Sequence, residues 1–118
     1  MPSDQDRIRR RLNDIRHHIV MAQTFVEGMS HDAFRDDQRT IYAVTRCPKI
    51  ISEASRRLPD ALKARHPSIA WKNMAGAGNV YRHDYEDVAE SFVWVVLEDH
   101  LPSLRIVVEH ELAALGGP

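Results

Sequence analysis

Asn79, Tyr81, Arg82, His83, Asp84 and Tyr85 crowd into seven positions, "NVYRHDY". His83 is the only histidine flanked by a cation, a carboxylate and two phenols, and imidazole is the side chain best suited to moving protons near neutral pH. If residues 76–85 are helical, Asn79 and His83 lie one turn apart on one face, as do Gly78 and Arg82, and Tyr81 and Tyr85. Such a set suits RNA cleavage without a metal. His83 would act as base on a 2′-hydroxyl or as acid on the leaving 5′-oxygen, Arg82 would hold the phosphate, and Asn79 would orient either group. The same residue types also describe a capped helix end with Arg82 and Asp84 in water. Taken alone, the cluster leaves both readings open.

Other groups offer less. His83 and Asp87 have the i,i+4 spacing of a helical ligand pair, but a third ligand such as His100 would have to come from an unspecified position. Neither a metal nor a cofactor is expected. The neighbours Arg16, His17 and His18 point in different directions on a helix and read as a polar face. Cys47 is the single cysteine, which excludes an internal disulfide; its place in an apolar periodic run points to a small buried residue. Arg7, Arg9, Arg10 and Arg11 stand in five positions. They form either the solvated side of a helix, paired with Asp4, Asp6 and Asp14, or a contact patch for RNA phosphates. Arg46, between Val44 and Cys47, is expected to be drawn inward and to need a carboxylate such as Glu53.

These residues must be positioned by a small fold. The 118 residues support one core, so a single domain spans 1–118, with its ordered part at about 4–115. A hydrophobic fraction of 43% and a charged fraction of 28% are those of a water-soluble globular chain. No apolar run nears the ~20 residues that cross a bilayer, and "MPSDQDRIRRR" lacks the apolar segment of a signal peptide, so a cytoplasmic location is expected. Sixteen Lys and Arg against seventeen Asp and Glu leave a net charge of −1. Any RNA contact must therefore be local.

The hydrophobic spacing is helical throughout. Ile8, Leu12, Ile15, Ile19, Ala22, Val26 and Met29 alternate by four and three, predicting a helix from Asp4 to Met29 with Ser3 as its N-cap. Ser30 should cap a short turn around Asp32 to Arg35. A second long helix is expected from Asp36 or Asp37 to about Arg57, with Ile41, Val44, Cys47, Ile51, Ala54 and Leu58 inward and a kink at Pro48. A helical turn lies between Pro59 and Pro67, and Ser68 should cap the next helix, carrying Ile69, Trp71 and Met74. From Asp87 to Leu115 the period returns through Val88, Phe92, Val95, Val96, Leu101, Leu104, Val107, Val108 and Leu112, with Pro102 bending or splitting the helix. "FVWVVL" has strand-like composition but lies within the longer helical period. Three long helices and one or two short ones make an all-α, up-and-down bundle.

The order of these motifs resembles the HepT-like branch of the HEPN superfamily. The pieces are "YAVTRCPKIISEASRRL", "HPSIAWKNM", "HDY" and "VWVVLEDHLPSL", and the resemblance covers about Arg7 to Leu112. It implies a helical bundle that forms a homodimer with two active segments facing each other. It also implies a metal-independent endoribonuclease acting as a toxin beside a minimal nucleotidyltransferase antitoxin, which neutralises it by binding and by transferring AMP to the motif tyrosine. That tyrosine corresponds to Tyr85.

The family motif is Arg, four to six residues, His, any residue, Tyr, with a polar residue commonly after the Arg. His83, Tyr85 and Asn79 fit. The arginine does not, because the permitted positions are Gly76, Ala77 and Gly78, and Gly78 stands directly before Asn79. Arg82, one turn on from Gly78, could reach back toward the vacated place. Alternatively the site is degenerate and the chain is a scaffold that binds a nucleotidyltransferase or a nucleotide. A plain helical interaction protein is the remaining option.

Overall fold

The computed structural model describes residues 3–74 and 86–116, with the backbone alone for 86–90. The elements are α1 (Asp4–Phe25), α2 (His31–Arg35), α3 (Gln38–Arg56), α4 (Asp60–Ala64), α5 (Glu86–Val95), a π-helical turn (Val96–His100) and α6 (Leu101–Ala114). Residues 71–74 are also helical, and no strand occurs among the described residues. The three long elements are α1, α3 and the continuous run from α5 through α6, giving the expected all-α bundle.

Local chemistry fixes the helix starts. Ser3 accepts from the Asp6 N–H at 3.1 Å while Asp6 accepts from the Ser3 N–H at 3.3 Å. This reciprocal pair satisfies two of the donors that a helix N-terminus leaves open. Ser30 accepts from the Ala33 N–H and Asp37 from the Thr40 N–H, each a one-way cap. The Thr40 N–H holds the Asp37 carboxyl below its ordinary pKa, since the bond favours the charged form. α1 stops at Phe25, before the expected Met29. The chain then turns through Gly28 at φ +77°, a left-handed conformation that glycine enters without steric cost.

α1 packs most extensively on α3 and next on α6. Leu12, Ile15, Ile19 and Ala22 of α1 are buried with Val44, Cys47, Ile51 and Ala54 of α3 and Leu101, Leu104 and Val108 of α6. Burial pushes the Cys47 thiol pKa up, so it stays protonated and acts as a small apolar filler. Phe34 of α2 is fully buried, its ring 5.1 Å from that of Trp94, and His31 stacks on the same indole at 5.2 Å and 4°. This cluster docks α2 on α5.

Pro48 and Pro102 are both absorbed by the helices. α3 runs continuously past Pro48, which is itself buried. Before Pro102 the helix widens: the Leu101 N–H bonds to the carbonyl of Val96, five residues back. Pro102 has no N–H and its ring would press on the carbonyl of Glu98, so a wider turn relieves both demands. The expected bend or split is thus a π turn.

Further expectations are corrected; Val95, placed in the apolar period of the last helix, is itself exposed. Arg46 is exposed, because it lies about 100° around the helix from Cys47 and about 160° from Val44. Ser68 lies in a turn, and the helical residues begin at Trp71, with Met74 bonding back to Ala70. Glu111, not Leu112, takes the fully inward place after Leu104 and Val108, and Leu112 is only partly buried.

Glu111 is 5% exposed and bridges two parts of the chain. Its carboxylate accepts from Arg65 Nη2 at 2.7 Å and Nε at 3.3 Å, and lies 2.5 Å from His66 Nε2. The Arg65 hydrogen bond, foremost, holds the Glu111 carboxyl below its ordinary pKa against the opposing cost of burial. A carboxyl with a depressed folded-state pKa stabilises the fold above its unfolded pKa, and that contribution disappears as pH falls through the folded value.

Two stability outcomes are expected. Glu111→Ala should cost about 2 kcal/mol at pH 7, the exposed half of Arg65 rehydrating. In urea melts, the gap from the parent should narrow below about pH 4, where the parent carboxyl is also protonating; a pH-independent gap would refute the charged bridge. Phe34→Ala should cost about 3–5 kcal/mol and shift the tryptophan emission as water reaches Trp94.

Candidate functional site

Asn79, Arg82, His83 and Tyr85, with Gly78, lie outside the described residues. Their flanks are placed. On the entering side, Arg65 and His66 are tied to Glu111 on α6. Five residues later the Trp71 indole N–H donates to the carbonyls of Lys63 and His66, both at 3.1 Å. Ile69 and Met74 are buried in the core. On the leaving side, α5 carries fully buried Val93 and the Trp94 ring that stacks on His31. Both anchors therefore rest on core packing, the support that a reactive constellation needs to keep its geometry.

The arginine run of α1 is divided by the helix. Arg9 points toward the end of α6, donating to Asp6 Oδ1 at 3.2 Å and to the carbonyl of Leu115 at 3.4 Å. A cation suits that place, where a helix C-terminus exposes unpaired carbonyls. Arg7, Arg10 and Arg11 fall on a different arc. Arg7 reaches Asp4 at 3.9 Å with both side chains exposed, a pair of little energetic weight. Arg10 has no ion pair among the described residues. Arg11 lines a shallow cleft between α1 and α3 with Asp14, Glu53 and Arg57. Two carboxylates share that cleft with two guanidiniums, so it is not a one-signed phosphate site.

The histidines of α1 pack against their own helix. His18 Nδ1 lies 2.8 Å from the Asp14 carbonyl, and its ring meets His17 edge-on at 5.1 Å. Arg16 pairs with Glu109 at 3.6 Å, joining α1 to α6. His100 is exposed at the end of the π turn. Among the described residues no three His, Cys, Asp or Glu side chains come together as a metal site, and no helix is long and apolar enough to cross a membrane.

The Arg65, His66 and Glu111 cluster was not singled out in the sequence, although a signal for it exists. Glu111 follows Leu101, Leu104 and Val108 at spacings of three, four and three. An acid in the core register of a helix must find a partner, and a cation from another element is the expected one.

The family model described as "Ribonuclease HepT-like" matches residues 15–111. A protein of Thermococcus cleftensis named "Probable ribonuclease HepT" is 33% identical over 94 residues, covering 80% of this chain and 86% of the relative. "Putative RNase MJ1380" of Methanocaldococcus jannaschii is 28% identical over 85 residues, covering 72% and 78%. "Putative RNase TTE0752" of Caldanaerobacter subterraneus subsp. tengcongensis is 30% identical over 87 residues, covering 74% and 78%. No solved structure gives a significant match. With a family match across most of its length and a bundle of the expected helices, this chain belongs to the HepT-like family.

Proposed function

We propose that this chain is a metal-independent endoribonuclease of the toxin type, with its chemistry in "GNVYRHDY". The observation that carries the proposal is the coincidence of family membership with His83 and Tyr85 at the H-x-Y spacing. Relatives named as ribonucleases support the same reaction class.

In this reading the 2′-hydroxyl attacks the adjacent phosphorus, forming a new P–O bond while the bond to the 5′-oxygen breaks. His83 accepts the 2′-proton or protonates the departing 5′-oxygen. Arg82 lies against the phosphate and offsets the charge that builds on its oxygens, and Asn79 orients the histidine or the phosphate. Two copies of the chain form the functional unit. A minimal nucleotidyltransferase acts as antitoxin and transfers AMP to the Tyr85 hydroxyl, placing a bulky anion over the RNA site.

Gly78 favours a second reading. The family arginine is absent there, and losing a transition-state cation costs about 10²–10³ in rate when nothing replaces it. Unless Arg82 supplies that charge, the chain is a degenerate member that binds the nucleotidyltransferase, or a nucleotide, through the same face.

Expression without the partner should arrest growth, and His83→Ala should relieve it, with cleavage of RNA in EDTA falling at least ~10²-fold. Undiminished arrest by a chain carrying both His83→Ala and Arg82→Ala would exclude the nuclease reading. In the degenerate case the parent neither arrests growth nor cleaves RNA, and Gly78→Arg should raise cleavage in a chain whose other parts are intact. Incubation with the neighbouring nucleotidyltransferase and ATP should add AMP mass to the parent but not to Tyr85→Phe; a tyrosine that stays unmodified argues against the antitoxin step.

A further inference from the structure

The core contacts of α3 lie on one side, centred on Val44, Cys47 and Ile51. At about 100° per residue, Arg39, Tyr42, Arg46 and Lys49 fall within an arc of about 80° on the opposite side. All four are exposed. Tyr42 is 75% exposed, the highest value among the large apolar side chains of the described residues. Among the described residues Arg39, Arg46 and Lys49 have no ion-pair partner, while other arginines, such as Arg9, Arg35, Arg65 and Arg105, are engaged with carboxylates. At the start of α3 the Asp37 carboxylate feels the charge of Arg39 without pairing with it at salt-bridge distance; beyond Lys49 the next acid along the stripe is Glu53, one turn on.

We propose that this outer stripe of α3 binds single-stranded RNA, with Tyr42 as a stacking platform for a base and Arg39, Arg46 and Lys49 as contacts to the phosphates. The ligand class rests on the ribonuclease reading; the placement rests on α3 alone. An aromatic face between cations is the arrangement that holds single strands without regard to sequence, because every base has a π face and every nucleotide a charge. The chain's net charge of −1 makes a one-signed stripe a local feature, not a consequence of overall basicity. From Arg39 to Lys49 the helix rises about 15 Å, long enough for several contacts along a strand. Self-association fits this face poorly. A two-fold axis through it would set the cations of one copy against those of the other, and the stripe offers one aromatic ring as its only large apolar group.

The test uses the full chain with His83→Ala, so that labelled single-stranded RNA is bound without being cut. Binding is followed by fluorescence anisotropy across a salt series. Tyr42→Ala should weaken binding roughly 5- to 100-fold, the effect of one lost base stack, and Tyr42→Phe should stay within about twofold of the parent, since the ring is kept. Replacing Arg39, Arg46 and Lys49 together by Gln should lower the slope of log K against log salt by about 2. These positions are exposed, and thermal melts confirm folding of each variant. The stripe is refuted by unchanged affinity and slope in the Tyr42→Ala and triple variants, by absence of RNA binding, or by loss of association with the nucleotidyltransferase while RNA binding persists. Cleavage by the His83 parent with stripe-independent binding removes the stripe and leaves the nuclease. Stripe-dependent binding by a parent that never cuts removes the nuclease and leaves the stripe.

Discussion

The apolar seam between α1 and α3 is the constraint on which the rest of the molecule depends. Residues from the start of α1 and the end of α3, Arg11 and Arg57, share one cleft, so the two helices run antiparallel. Along the seam, Leu12, Ile15, Ile19 and Ala22 meet a face of α3 whose side chains are small or β-branched: Val44, Cys47, Ile51, Ala54 and Ser55. Such a face lets the helices approach closely, and each fully buried aliphatic side chain contributes about 1.5–3 kcal/mol by leaving water. The seam also decides what is left outside. Once Cys47 and Val44 point inward, Arg46 must face solvent and Tyr42 with it. The exposure of the cationic stripe is thus a geometric result of the core.

Against that seam, Glu111 has a different task. The stretch from Arg65 to Ala70, before the helical residues at 71–74, has no regular structure of its own, and its backbone bonds are turns. What holds it is a charge on α6 and the two carbonyls that share the Trp71 indole. A buried carboxylate costs several kcal/mol to desolvate, and its hydrogen bonds roughly offset that cost. Its main contribution is therefore to register: an apolar residue at position 111 could hold α6 in the core but could not select Arg65 and His66 as neighbours. The chain that leads to His83 is tied down by the same carboxylate.

Much of the fold was legible in the sequence because the signals were local. Spacing of three and four placed α1 and α3, and Ser3, Ser30 and Asp37 marked their starts or those of their neighbours through single side-chain bonds to backbone. What escaped depended on partners distant in sequence or on subtle helix geometry. Glu111 finds Arg65 across forty-six residues, and nothing in either local pattern names the other. Pro102 announced a disturbance, but the remedy of a wider turn depends on how α5 and α6 both reach the core. Arg46 misled because its neighbours in sequence are apolar; around a helix its neighbours in space are Tyr42, Lys49 and Ile50. The motif was legible as a family pattern through the H-x-Y spacing of His83 and Tyr85, while the residues it falls on lie outside the described part of the chain.

The vacancy at Gly78 and the cations on α3 bear on different parts of one free-energy difference. A motif arginine acts on the transition state, so its loss lowers the rate of the bound complex and leaves affinity for RNA nearly intact. A stripe that contacts phosphates and a base away from the reacting bond does the reverse, binding substrate and transition state alike. The stripe therefore cannot compensate for Gly78, however tightly it holds RNA. In the proposed reaction only a cation at the scissile phosphate would do that, and within the motif Arg82 is the one arginine the sequence offers. A chain with the stripe and without Arg82 in place would retain RNA without cutting it, and that separation of binding from chemistry distinguishes a degenerate member from an active one.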